Sequence, residues 1–249
     1  MNKEFIFTYD QYIQFLKFSL NYRKFSFFNS EEQQDIFILR HDIDVFLQPA
    51  VKIALLEKEI DISSTFFLLQ TSPCYNPNTQ NNHKMIMEII NLDHQIGLHF
   101  DPLVYQTIDI NVLSQKLAQE RDCLEQLIGR KVSCFSLHNP SVSGQMPQLD
   151  TDMINAYSIN YFNNDSYLSD SCRNFRGKNP YDFVQKVKSK KAQLLFHPFH
   201  FSEHEVGYKK LFLNYTQRFL EDIDEVFRIN SQYNRELPDG LSTNFMRCQ

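Results

Sequence analysis

The chain has no apolar run of about 18 residues, so no segment is expected to cross a membrane. Its opening, Met-Asn-Lys-Glu-Phe-Ile-Phe, is too short an apolar stretch for a signal peptide. It also lacks a basic surplus. With 25 Lys and Arg against 30 Asp and Glu, the net charge is -5, which offers no electrostatic footprint for nucleic acid. The densest basic run, Lys186, Lys188, Lys190 and Lys191, reads as a solvated helix end. No two of the five cysteines (Cys74, Cys123, Cys134, Cys172 and Cys248) have C-x-x-C spacing, and their number is odd. That argues against a disulfide framework or a cysteine zinc site and fits a reducing, cytoplasmic setting. Cys134, inside an apolar run, reads as a small buried hydrophobe. Tryptophan is absent, while Phe numbers 23 and Tyr 12, an aromatic load suited first to filling a core. No internal repeat or low-complexity segment is present.

What is present is alternation. Tyr12, Phe15, Leu16 and Leu20 have helical spacing within Tyr9 to Tyr22. Ile36-Phe37-Ile38-Leu39, within Asp35 to Arg40, reads as a buried strand, and Pro49 suits the first turn of a helix carrying Ile53, Leu56 and Ile60. Strands are expected at 64–69, 95–100, 132–137, 158–162 and 192–196. Helices are expected at 84–91, 111–128, 150–157, 181–189 and 208–229, Gly129 closing the clearest of them. The last 20 residues read as a tail with a turn at Pro238. Continuous apolar strands separated by helices imply an α/β fold with a parallel sheet covered on both faces. A barrel and an open doubly wound sheet both satisfy this, and no composition break divides residues 1–249, which read as one domain.

In such folds functional residues gather past the C-terminal ends of strands. The first strand ends in Arg40-His41-Asp42-Ile43-Asp44, where two carboxylates two residues apart call for a cation or a shared proton. The third ends in Gly97-Leu98-His99-Phe100-Asp101, the glycine permitting close backbone approach and the imidazole being a common metal ligand. The fourth ends in Ser136-Leu137-His138-Asn139-Pro140-Ser141 and the sixth in Leu194-Leu195-Phe196-His197-Pro198. Four of the eight histidines thus follow separate strands, a placement that packing explains poorly. His83, His94 and His204 sit in polar stretches and read as surface residues. Arg40, Arg173 and Arg176 are candidates for binding a substrate phosphate or carboxylate.

These motifs, with Ile62-Ser63-Ser64-Thr65-Phe66-Phe67-Leu68-Leu69 and His94-Gln95-Ile96-Gly97, resemble in order and spacing the polysaccharide deacetylase superfamily. That is the NodB-homology domain of carbohydrate esterase family 4, here in a divergent branch found in bacterial surface-polysaccharide gene clusters. The resemblance spans about residues 36–200. It implies a distorted (β/α) barrel of about seven parallel strands and a divalent metal, usually zinc. It implies Asp42 as catalytic base, Asp44 and His99 as metal ligands, and His197 as general acid. Arg40, His41, Asn139 and Arg173 are the corresponding substrate-binding candidates.

The sequence departs from the family pattern at three places. Position 103, where a second metal histidine is usual, is Leu. The carboxylate pair is spaced Asp42-Ile43-Asp44 rather than adjacent. His138-Asn139-Pro140 stands where an arginine-proline motif is usual. His138 or Asp101 is left to supply the third ligand, His138 being preferred. The implied activity is removal of an N- or O-acyl group, acetyl foremost, from a sugar, a cytoplasmic setting favouring a soluble or nucleotide-linked one. The rival readings are a binding module of the same fold that has lost its metal, and a metal amidohydrolase of small non-sugar amides.

Overall fold

The computed structural model describes residues 4–31, 34–140, 144 and 146–247; Cys248 and the motif residue Ser141 lie outside them. Strand β2 (Ile36–Ile43) is buried along its whole length. It runs past the expected end at Arg40, because His41, Asp42 and Ile43 continue the strand. On one edge it pairs with β1 (Lys24–Ser26) and then, further along, with β3 (Thr65–Leu68); on the other it pairs with β8 (Lys191–Phe196). The remaining strands are β4 (Gln95–Phe100), β5 (Cys134–Leu137), β6 (Ile154–Asn155) and β7 (Tyr167–Ser169). The main path runs β6-β5-β4-β3-β2-β8-β7, seven strands with every pair parallel.

The sheet curls into a distorted, open barrel. Gln193 of β8 donates across the interior to the carbonyls of Ala156 (3.0 Å) and Tyr161 (3.1 Å), which follow β6 at the far end of the path. Residues two apart on a strand share a face, so Ile36, Ile38, Arg40 and Asp42 point inward. Phe28, Ile36, Ile38, Phe67, Cys134, Ala156 and Tyr161 plug the barrel floor. Phe37, Leu39 and Ile43 join the larger core under the helices. Gly97 is required here. A Cβ at that position would stand 2.6 Å from the Phe67 ring and 3.2 Å from Cys134 Sγ.

Helices α1 (Tyr9–Ser19), α2 (Leu47–Lys58), α3 (Gln80–Asn91), α4 (Ile110–Ile128) and α5 (Pro180–Lys186) cover the outside. The longest, α4, begins where the Asp109 carboxylate accepts from the Asn111 and Val112 amides. It ends at Gly129, whose φ of 65° is left-handed, as the sequence requires.

Two segments differ from expectation. Residues 150–157 hold the short strand β6 instead of a helix, and 158–162 form turns instead of a strand. The apolar character of the second segment serves the plug: Tyr161 is buried and its hydroxyl donates to the Phe28 carbonyl at 2.7 Å. Strands β1 and β7 are three residues each, too short for a periodicity to announce them.

The chain divides into two compact units, residues 1–203 and 204–249. The second holds α6 (Tyr208–Phe227), α7 (Ser231–Glu236) and α8 (Gly240–Arg247). The expected tail, among its described residues, is therefore mostly helical, with the turn at Pro238 kept. Asp224 of α6 fixes it by accepting from the Leu241 (2.6 Å) and Ser242 (3.1 Å) amides at the start of α8. No helix among the described residues is long and apolar enough to cross a membrane.

Candidate metal and active centre

One cavity of about 380 Å³ opens at the C-terminal ends of the strands. Asp42, Asp44, His99, His138, Asn139 and His197 all line it. The structure thus brings together six residues from β2, β4, β5, β8 and the segments that follow them.

Asp44 sits one residue beyond β2. Its loop is held from behind, where Ser72 Oγ donates to the Asp44 carbonyl (2.9 Å) and Tyr75 Oη to that of Ile43 (2.8 Å). His99 on β4 lies beside Ser136 of β5 in register, and Ser136 Oγ is 2.7 Å from His99 Nδ1. That contact fixes the ring and turns Nε2 toward Asp44. His138 is placed by its amide, which donates to the Phe100 carbonyl at 2.8 Å. Its Nδ1 is 3.1 Å from His99 Nε2 and 3.5 Å from Asp44 Oδ1, and His99 Nε2 is 3.2 Å from Asp44 Oδ1.

These three separations have a meaning. A tetrahedral ion with metal–ligand bonds of ~2.0–2.1 Å has ligand–ligand edges of ~3.3–3.4 Å. Asp44 Oδ1 is moreover buried without a hydrogen-bond partner among the described residues, which would be costly for a carboxylate that meets nothing else. Burial raises the Asp44 pKa, but His138, His99 and His197 outweigh it and hold the group well below the usual carboxylate range. The donor set of one carboxylate and two imidazoles fits a divalent ion with an open fourth position. Asp101, the alternative third ligand, caps the turn at Pro102–Tyr105 by accepting from the Leu103 amide at 3.0 Å. It is absent from the cluster of converging ligand atoms.

Asp42 is 2% exposed and held by Arg40, two residues earlier on the same face of β2. Arg40 Nε meets Asp42 Oδ1 at 2.8 Å and Nη2 meets Oδ2 at 2.7 Å. The guanidinium is enclosed by the rings of Phe67 (5.1 Å) and Tyr157 (4.7 Å), and Nη1 donates to Gln193 Oε1 at 3.2 Å. Arg40 is thus fully buried and absent from the cavity lining; the expectation that it binds substrate is replaced by a role in orienting Asp42. Burial would raise the Asp42 pKa, yet Arg40 and His99 bring it below normal.

His197 follows β8. Its Nδ1 is 2.6 Å from Asp170 Oδ1, and its amide donates to the same carboxylate at 3.1 Å. Asp170 Oδ2 is also 2.9 Å from His200 Nδ1. These lengths suit shared protons better than the edges of a metal site. Burial lowers the His197 pKa, but Asp170 more than compensates and carries it up to about 9. The ring therefore holds a proton at neutral pH, with Nε2 facing the cavity 3.8 Å from Asp44 Oδ2.

His41 corrects another expectation. As the neighbour of Asp42 on an extended strand it faces away from the cavity. Its Nε2 meets Glu57 Oε1 at 2.7 Å and its Nδ1 the Phe196 carbonyl at 3.2 Å. Tyr12 and Ser64 donate to the same Glu57. His94, expected at the surface, is 4% exposed. It accepts from the Ser64 amide at 3.1 Å and donates to the Ala54 carbonyl at 3.0 Å. Arg173 is also away from the cavity, its guanidinium stacked 4.7 Å over Phe7. Arg176 lines it instead. His83 is half-buried and His204 exposed.

Sequence reading passed over Asp170, Ser136 and the aromatic wall of Tyr157, Phe162 and Tyr167. Asp170 has a signal in retrospect, since it directly follows the short Tyr167-Leu168-Ser169 strand as Asp44 follows β2.

No family model matches the chain, and no curated protein matches it. Among solved structures, the chain is similar to wild-type BA3943, a CE4 family pseudoenzyme from Bacillus anthracis. Identity is 14% and the TM-score 0.44, over 75% of this chain and 62% of that one; the chain thus spans under two thirds of that protein's length. It is similar to the chitin deacetylase from the fungal pathogen Colletotrichum lindemuthianum at 16% identity and a TM-score of 0.45, over 75% of this chain and 83% of that one. It is also similar to the catalytic domain of a peptidoglycan N-acetylglucosamine deacetylase from Eubacterium rectale ATCC 33656, at 15% identity and a TM-score of 0.48, over 78% and 87% of the two chains.

Proposed function

We propose that this protein is a metal-dependent hydrolase that removes an acyl group, acetyl foremost, from a sugar that is free or nucleotide-linked. The observation that carries the reading is the convergence of Asp44 Oδ1, His99 Nε2 and His138 Nδ1 at 3.1–3.5 Å from one another. A divalent ion held there, zinc in this reading, supplies Lewis acidity for a substrate carbonyl and makes a water more acidic.

The chain's own residues then divide the proton work. Asp42, ionised and kept in one orientation by Arg40, accepts the proton of the attacking water. His197, charged and aimed by Asp170, donates a proton from Nε2 to the leaving amine or alcohol. Cleavage of an amide calls for a base and an acid placed apart, and these groups reach the cavity from different strands. The side-chain amide of Asn139 is 2.8 Å from His138 Nε2; with Nδ1 given to the metal, Nε2 carries the proton, and the amide oxygen is the partner that holds the imidazole.

The test is acyl release by protein loaded with zinc, cobalt or manganese, from a panel of N-acetylated and N-formylated sugars with and without a nucleotide. Release of free amine that stops on chelation and resumes with metal is expected. No release from any member of the panel by metal-loaded protein would overturn the reading.

A further inference from the structure

The cavity extends beyond the reacting centre, and its outer lining has a chemistry of its own. Asp42 and Asp44 are the carboxylates among its lining residues, and the first is already neutralised by Arg40. The other charged groups away from the histidines are cationic, Arg176 and Lys178, beside the amides of Asn163 and Asn164.

Arg176 is held in an unusual way. It belongs to a loop in which Cys172, Arg173, Arg176 and Gly177 all have positive φ, with Arg176 at 53°. Left-handed backbone is costly for an L-residue, and such conformations concentrate at functional sites. The loop is nonetheless anchored. Phe175 packs at 5.2 Å on Phe5, 5.7 Å on Phe7 and 6.3 Å on Phe196. Arg176 is exposed at the rim of the cavity, and among the described residues no hydrogen bond or ion pair engages its guanidinium, which leaves its five donors open to a ligand.

Lys178 Nζ donates to the carbonyls of Asn164 and Tyr167, both at 2.8 Å. That fixes the ammonium and leaves one of its three donors over. Asp165 is the carboxylate that acts on Lys178. Asn164 and Lys178 also line an adjoining hollow with Lys188 and with Lys186, which pairs with Asp182 at 3.0 Å.

We infer that Arg176 and Lys178 form an anion subsite, and that the acylated sugar this protein takes carries a phosphate or a carboxylate. The inference rests on the hydrolase reading for the position of the acyl group. The subsite itself is a binding property that does not need turnover.

The experiment measures calorimetric binding of three probes to the full, metal-free chain and to Arg176→Gln. They are methyl N-acetylglucosaminide, N-acetylglucosamine 1-phosphate and N-acetylglucosaminuronic acid. A charge-assisted contact predicts that an anionic probe binds about 10-fold tighter than the neutral one. Arg176→Gln should erase that preference without lowering the melting temperature, because the side chain holds nothing else. The phosphate or the carboxylate arm, whichever shows the preference, names the anion. Equal binding of all three, no binding of any, or a preference that survives in Arg176→Gln would overturn the inference.

Acyl release from the same probes by zinc-loaded protein separates the two claims. Release with no anion preference leaves the hydrolase standing and removes the subsite. Anion preference with no release does the reverse.

Discussion

Replacing Arg40 by Met tests how the base is held. Methionine keeps much of the aliphatic volume between the Phe67 and Tyr157 rings but removes four donor contacts, two to Asp42, one to Gln193 and one to Tyr157. The pair is 0% and 3% exposed at the two side chains, so solvent screening offers little relief. Removing one partner of such a pair costs about 3–5 kcal/mol. The sign with pH follows from linkage. In the native chain the Asp42 pKa is depressed, so its contribution is present above the unfolded carboxylate pKa and lost as pH falls through the folded one. Without Arg40, burial dominates and raises that pKa, so the penalty appears as pH rises. Urea unfolding of chelated protein should therefore show a loss of about 3–5 kcal/mol at pH 7.5, shrinking to about 1–2 kcal/mol at pH 5, where Asp42 can fold protonated. A loss below ~1 kcal/mol, or an equal loss at both pH values, would refute the argument.

Four further substitutions probe the proton acceptor, the metal ligand, the barrel floor and a buried acid. Asp42→Asn should retain the metal and lower turnover by ~10²–10⁴-fold, whereas Asp44→Asn should lose the metal; paired metal analysis and kinetics would show the roles reversed if the losses are exchanged. Gly97→Ala should destabilise by about 1–3 kcal/mol in thermal or urea unfolding, since its methyl meets the Phe67 ring, and a neutral result would mean that the floor of the barrel yields. Glu120 is buried with Oε2 unpartnered, and burial pushes its pKa up to about 7; its stability contribution is present at low pH and lost as pH rises through that value. Glu120→Gln should accordingly gain stability relative to the native chain between pH 5 and 8, on the order of 3 kcal/mol, and a pH-independent difference would contradict the assignment.

Much of this was legible in the sequence because it depends on local pattern. The α4 helix shows in the stripe Leu113, Leu117 and Leu124 and its Gly129 stop, and β4 shows in Gln95–Phe100. What the sequence obscured was the side on which residues point. Arg40, His41 and Asp42 stand at and past the end of the apolar run Ile36–Leu39, and their ionisable character hides the continuing strand. Once the strand is seen to continue through them, alternation sends Arg40 and Asp42 inward and His41 outward to Glu57. The Asp170 partner of His197 was hidden for a different reason: its strand is three residues long, while the more apolar stretch at Tyr161 belongs to the barrel floor. The anchored loop bearing Arg176 depends on backbone conformations at non-glycine residues, which composition does not announce.

In the proposed centre Asp44, His99 and His138 hold one divalent ion. Titration of the chelated chain with cobalt, followed by its visible absorption and by metal analysis after desalting, reads this ion out. About one ion per chain with a tetrahedral spectrum is expected, bound more weakly by a large factor in His138→Ala and little changed in Asp101→Asn. Failure to bind cobalt, zinc, nickel or manganese, or loss of the ion in Asp101→Asn with retention in His138→Ala, would contradict it.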